Sequence, residues 1–394
     1  MTAVGLALIV VLAAGCATGG AERSSRDVAA REPGPAGSPS DAQARDVRAR
    51  QLSEQGRAAL AGGDAVSAAR WLRDALTLEP DLVDARENLG LALYQMGDLD
   101  SAIEELRALL RRHPEAVRAR LTLATALMAR QDWAAARAEL DEVLRRQPDR
   151  IQALYSLGLV RYARGDQNGA IDAYRRVLER SPDHADARYN LALVLKLSHR
   201  EADATPEFVA AASAGHARAQ YFAGTAFARG LGVELNLSRA IAWWSRAAAQ
   251  GNNEANAALG ELRQVALGKT RRSTIERGAA EQAFRDYRAA LWSEFPELTR
   301  AGDDDTVGSA LLRQGRGAEA VPVLIGEARA FSEPAHALLE DLYRRGAPGQ
   351  VPAYDARILD YFKTAADEGQ VRARQFLQEI SAASEAVPPS PVRP

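Results

Sequence analysis

Cysteine occurs once in this chain of 394 residues, at Cys16. A single thiol excludes disulfide bridges within the chain, cysteine-based zinc clusters and thiol catalysis anywhere beyond position 16. Histidine is scarce too. His113, His184, His199, His216 and His336 are the five, and none has another histidine three or four residues away, so a helical His-x-x-x-His metal site is missing. Charge of one sign is also lacking: 50 basic residues are interspersed with 52 acidic ones, the net charge is −2, and no basic stripe attracts nucleic acid. The apolar run Val4 to Leu12 is too short to span a membrane as a helix. Strand-like alternation is nowhere sustained. The phosphate-loop, nucleophile-elbow and dinucleotide-binding glycine patterns do not occur. These absences leave no catalytic residue, metal, cofactor or small-molecule substrate to name, and the chain is expected not to be an enzyme.

What the chain has is punctuation. Pro80, Pro114, Pro148 and Pro182 are spaced by 34 residues, as are Asp64, Asp98, Asp132 and Asp166, and Ala68, Ala102, Ala136, Ala170 and Ala204. A fixed period of this length marks a helical array. Gly63-Asp64, Gly97-Asp98 and Gly165-Asp166 join a glycine free to adopt positive φ to an aspartate able to cap the next helix. Proline closes each unit, since it cannot continue a helix. The eighth place of a unit holds Gly56, Gly90, Ala124, Gly158 or Ala192. A small residue there should let the second helix approach the first, with the alanine near the start of the second helix as the other half of the contact.

On these residues the stretch from about 47 to 213 resembles tetratricopeptide repeats, five units in all, with Arg200 and His216 replacing the expected aspartate and proline in the last. The resemblance implies an all-α fold, an α-solenoid of antiparallel helix pairs packed on their neighbours. After residue 213 the step becomes 36, from Gly215 to Gly251. Gly230-Leu231-Gly232-Val233, Ala240, Trp243-Trp244 and Ala247-Ala248 resemble a Sel-one-like repeat, a relative with a longer loop. A second copy runs from Glu333 to Gly369 with Tyr361-Phe362 and Ala365-Ala366. Between them, 269–331 stays helical in pattern but loses the repeat text, although Gly315-Arg316-Gly317 looks like a worn inter-helix turn.

At the other end, Ala13-Ala14-Gly15-Cys16 after the apolar run resembles a bacterial lipoprotein signal. The resemblance implies that Cys16 is acylated and becomes the mature amino terminus, and Ala17 behind it favours the outer membrane. The expected organisation is 1–16 signal, 17–40 flexible tether, 41–213 tetratricopeptide repeats, 214–268 Sel-one-like repeat, 269–331 degenerate helical region, 332–383 Sel-one-like repeat and cap, and 384–394 disordered tail. Pro33-Gly34-Pro35 and Pro388-Pro389-Ser390-Pro391 carry the tether and tail readings. A tether of this length would reach roughly 25–30 Å.

In the tetratricopeptide family the first helix of each unit lines a concave groove through its second, fifth, ninth and twelfth places. The resemblance therefore implies a partner-binding groove with Tyr94, Arg118, Met128, Tyr155, Tyr162, Tyr189 and Lys196. Tyrosine and arginine suit interface anchors. The carboxylate clamp of chaperone-binding members is not expected, because Leu159 and Thr122 stand where its partners are needed. The implied function is a lipid-anchored, periplasm-facing scaffold in an envelope assembly serving pili, secretion, outer-membrane biogenesis or exopolysaccharide export. Its partners would be proteins or peptides. Two alternatives remain open: an adaptor or regulator of peptidoglycan enzymes, and an enzyme with an unrecognised site in 269–331.

Overall fold

Asp64, Asp98, Asp132 and Asp166 each start a helix. In the computed structural model, which describes residues 41–270, 274–302 and 304–385, they cap α2 (Ala65–Leu78), α4 (Leu99–Arg112), α6 (Trp133–Arg146) and α8 (Gln167–Arg180). Each carboxylate accepts from the backbone N–H three residues on, at 2.9 Å from Ser67, 3.2 Å from Ser101, 3.2 Å from Ala135 and 2.9 Å from Gly169. A donor that the helix leaves open is thereby satisfied. Just before each aspartate the chain reverses through positive φ, 80° at Gly63, Gly97 and Gly165 and 63° at Gln131 where glycine is missing.

The first helices of these four units are α1 (Asp41–Ala61), α3 (Val83–Gln95), α5 (Val117–Ala129) and α7 (Ile151–Ala163), and α9 (Ala185–Leu197) with α10 (Glu201–Ser213) makes the fifth pair. Each helix packs on the next in sequence, and α1, α3, α5 and α7 also touch one another in turn, whereas the second helices make no contact of comparable extent. Crowding on one side curves the stack toward the first helices, which line its inner face. Among the described residues the chain is an all-helical solenoid.

Size complementarity closes each pair. A Cβ at Gly56, Gly90 or Gly158 would stand 2.5 Å from Leu72 Cγ, Leu106 Cγ or Tyr174 Cε1, far inside contact distance, so only glycine admits those side chains so close. The partner is not the alanine expected from the sequence. It lies four residues further along the second helix, while Ala68, Ala102 and Ala170 are buried beside it.

A second device runs along the array. Arg86, Arg120 and Arg188 pair with Glu105 at 2.6 Å, Glu139 at 2.5 Å and Glu207 at 2.9 Å. The same guanidinium groups donate to the carbonyls of Pro80, Pro114 and Pro182 at 2.8–2.9 Å. Unit four replaces both partners together with apolar residues, Leu154 and Ala173, which are 0 % and 2 % exposed. There Arg176 of α8 reaches the Pro148 carbonyl instead, at 2.8 Å.

Beyond the fifth pair the spacing loosens. α11 (Ala217–Arg229) and α12 (Leu237–Ala249) are joined through Gly230 and Gly232, both left-handed at φ 66° and 68°. Thr205 Oγ1 donates to the Leu231 carbonyl at 2.7 Å, tying this longer loop to α10. Gly224 and Trp244 repeat the small-on-large contact at 2.5 Å. Then come α13 (Asn253–Ala266), α14 (Arg277–Glu294), α15 (Val307–Arg313), α16 (Gly317–Arg329), α17 (Glu333–Arg345), α18 (Ala356–Asp367) and α19 (Val371–Glu385).

Region 269–331 keeps more repeat geometry than its text suggests. Gly308 packs under Leu324, Gly315 turns at φ 78°, and α16 begins where a second helix should. What is lost is the front of the first helix: α15 has 7 residues where α3, α5 and α7 have 13. Gly260 of α13 faces Glu368 at the end of α18. Arg263, 3 % exposed, binds the Glu368 carboxylate at 2.6 Å, so residues 105 apart in sequence close on one another.

The replaced rung predicts a coupling. Leu154→Arg alone should bury a cation without its carboxylate and cost about 2–4 kcal/mol. Adding Ala173→Glu should recover about 1–2 kcal/mol, read as the interaction energy in a double-mutant cycle by urea melts.

Candidate partner-binding face

The inner face is built by repetition, because the fifth and twelfth places of successive first helices stack along the array. Tyr94 on α3, Tyr155 and Tyr162 on α7 and Tyr189 on α9 are half-buried and pack against the core with one side only. Their environments differ. Tyr155 Oη accepts from Asn190 Nδ2 at 3.0 Å and its ring stacks on His184 with centroids 5.2 Å apart. Burial, aided by Asp186, pushes the Tyr155 hydroxyl up to about 12. Tyr189 stacks on His216 at 4.3 Å and leans on Phe208 and Phe222 at 6.1 and 6.2 Å. Burial raises its hydroxyl above the ordinary tyrosine value, against the pull of Arg218. Tyr94, whose hydroxyl is raised by burial alone, and Tyr162 take part in no ring stack.

The charged residues are already engaged. Arg118 is exposed, and its Nε binds Glu87 Oε1 at 2.7 Å. Glu87 is 7 % exposed, and burial raises its carboxyl although Arg118 opposes this. The Lys196 ammonium sits 4.4 Å from the Phe222 ring centroid, a cation–π contact. Burial lowers its pKa, Arg229 adds to the effect, and Glu201 counters it. Met128 is 7 % exposed and belongs to the buried core. It supports the face from beneath rather than lining it.

Phe222, His184, His216 and Asn190 complete the face, and none of them is among the groove residues expected from the sequence. Phe222 lies on α11, past the point where the period changes, so places counted at 34 residues do not reach it. Cys16 lies outside the described residues, as does the tether.

The region 269–331 contains two strongly perturbed acids: the Arg313 guanidinium holds the Asp305 carboxyl well below the usual carboxylate range, and Glu327 moves the other way. Glu327 is 3 % exposed, and burial pushes its carboxyl up to about 7. Both oxygens are occupied, accepting from the backbone N–H of Val307 at 2.8 Å and Gly308 at 3.1 Å. That carboxylate satisfies the open donors of the shortened α15. A cavity of about 410 Å³ nearby is lined by Asp304, Asp305, Ser309 and Leu338, and Glu327 is not part of its wall.

The tetratricopeptide repeat family model matches residues 87–151, 121–181 and 155–204. No curated protein matches the chain. Among solved structures, MamA residues 41 to the end from Desulfovibrio magneticus RS-1 is 20 % identical, with a TM-score of 0.40, covering 42 % of this chain and 93 % of that one. Another MamA crystal structure is 24 % identical with a TM-score of 0.39, covering 42 % and 97 %. Residues 87–204 thus match the tetratricopeptide repeat family model, and the helix pairs they form are part of the all-helical solenoid of the described residues.

Proposed function

We propose that this chain is a non-enzymatic scaffold that holds partner proteins on its inner face and is anchored in the bacterial envelope through a lipid at Cys16. The observation that carries the binding half is the set of half-buried tyrosines on the first helices α3, α7 and α9, with Tyr94 and Tyr162 outside every ring stack. Such side chains offer apolar area together with a polar tip at low entropic cost. Repetition along the array suits an elongated partner segment touching several units. The anchoring half rests on the Ala13-Ala14-Gly15-Cys16 signal, with Ala17 directing the protein to the outer membrane, facing the periplasm. The Sel-one-like reading of 214–268 and 332–383 rests on the longer loops between α11 and α12 and between α17 and α18. Within the envelope, the partners are components of a pilus, secretion, outer-membrane biogenesis or export assembly.

Two experiments test the halves separately. Cys16→Ser should move the protein from the membrane to the soluble fraction without changing its melting curve, since several acyl chains are needed for stable anchoring. Unchanged fractionation would sink the anchor. For the face, Tyr94→Ala with Tyr162→Ala should cost less than about 1 kcal/mol of stability yet abolish crosslinks formed in cells from position 91 or 125. Tyr155→Ala or Tyr189→Ala should cost about 1–2 kcal/mol as well, because those rings also pack. Crosslinks that survive the Tyr94/Tyr162 pair would place binding elsewhere.

A further inference from the structure

The first helices α3, α5 and α7 begin without a side-chain cap, since Leu82, Ala116 and Arg150 make no such bond. α9 and α11 differ. Their caps are His184 and His216, whose Nδ1 atoms accept from the backbone N–H of Ala187 at 3.3 Å and of Ala219 at 3.1 Å. A ring nitrogen accepts only while it carries no proton, so both rings serve as caps in the neutral form with the proton on Nε2. In His216 that Nε2 faces Asp186 Oδ1 at 3.5 Å. A second proton must therefore go to the capping atom itself. The same two rings stack on Tyr155 and Tyr189, in the wall of the inner face.

We propose that His216 forms an acid-sensitive joint between α9 and α11, in which protonation of its capping nitrogen uncaps α11 and loosens the aromatic wall of the face beside Tyr189. The consequence for a bound partner rests on the reading of that face as the binding surface; the joint itself is a property of the free chain.

The groups facing His216 are Asp186 and Tyr189 on α9 and Arg218 on α11 itself; His184 faces Tyr155 on α7. Burial holds the His216 ring below the ordinary histidine value, outweighing the pull of Asp186, and Arg218 acts with burial. A histidine in the unfolded chain titrates near about 6.5. The folded value being lower, the contribution of the cap is fully present above about pH 6.5 and is lost as pH falls through the folded value. The helix dipole opposes an imidazolium at an N-terminus, in the same direction. The second helices α2, α4, α6 and α8 are capped by aspartates instead of histidine, so they provide an internal control.

Amide hydrogen exchange on the full chain at pH 7.5 and pH 5.0, corrected for intrinsic rates, tests the joint. In the wild type, protection in the first turn of α11 should fall by about fivefold at pH 5.0, the effect of losing one N-cap, while α4, α6 and α8 hold theirs. His216→Asn keeps a capping acceptor that cannot titrate, and should leave α11 flat between the two pH values. His216→Ala should show the lower protection of α11 at both. Nitrogen-15 shifts of the His216 ring provide a readout independent of folding, with Nδ1 unprotonated at pH 7.5. Equal pH responses in the wild type and the asparagine variant, or a protonated Nδ1 at pH 7.5, would overturn the proposal. Because exchange is measured without a partner, such a failure leaves the tyrosine crosslinking test of the binding face untouched.

Discussion

A small residue on the first helix facing a large one on the second sets the distance between the two helices of a pair, and the rest of the array is built on that distance. Gly56 with Leu72, Gly90 with Leu106, Gly158 with Tyr174, Gly224 with Trp244 and Gly308 with Leu324 are five versions of one contact. Its force is steric and dispersive: interiors pack densely, and a side chain seated on bare backbone gains contacts on every side. Once the pair is close, aspartate and a left-handed residue suffice to turn the chain. The arginine–carboxylate rungs of Arg86, Arg120 and Arg188 then tie three of the first helices to their second helices and to the preceding proline. Unit four shows that the rungs are dispensable as ion pairs, since exchanging both partners for Leu154 and Ala173 leaves the helices in place.

Function follows from where this packing leaves surface. First helices crowd one another on the inner side, so their fifth and twelfth places form a continuous strip instead of separate patches. Tyrosines there are half-buried, Tyr155 and Tyr189 stacked on histidine rings and Tyr94 and Tyr162 outside any ring stack. The strip extends past the strict repeat through Phe222 and Lys196, and it is at this handover that histidine takes over capping. Further on, the solenoid curls enough for Arg263 on α13 to meet Glu368 on α18. A buried ion pair of this kind requires good geometry to offset desolvation, and Gly260 beside it provides the room.

Much of this was legible in the sequence. The 34-residue ladders located the second-helix caps and the turns, because capping and positive φ are local demands that a residue type reveals by itself. Gly315-Arg316-Gly317 disclosed a turn in text otherwise worn away. The partner of the glycine was misplaced by one helical turn, since several residues of a second helix are apolar and only packing says which of them points at the backbone. Met128 was misplaced for the same reason: a place in a repeat fixes direction, while depth depends on neighbours. The Glu327 bond to the start of α15, the Arg263 closure and the histidine caps all join residues by geometry that no spacing announces.

The central claim is that the helix pairs are held by complementary sizes, and a size swap tests it most directly. Gly158→Leu should lower stability by about 1–3 kcal/mol through overpacking, and Tyr174→Ala should lower it by leaving a void. Combined in one chain, the two changes should compensate, and a urea melt should give the double variant at least about 1 kcal/mol more stability than the sum of the single losses allows. Strict additivity would contradict the account.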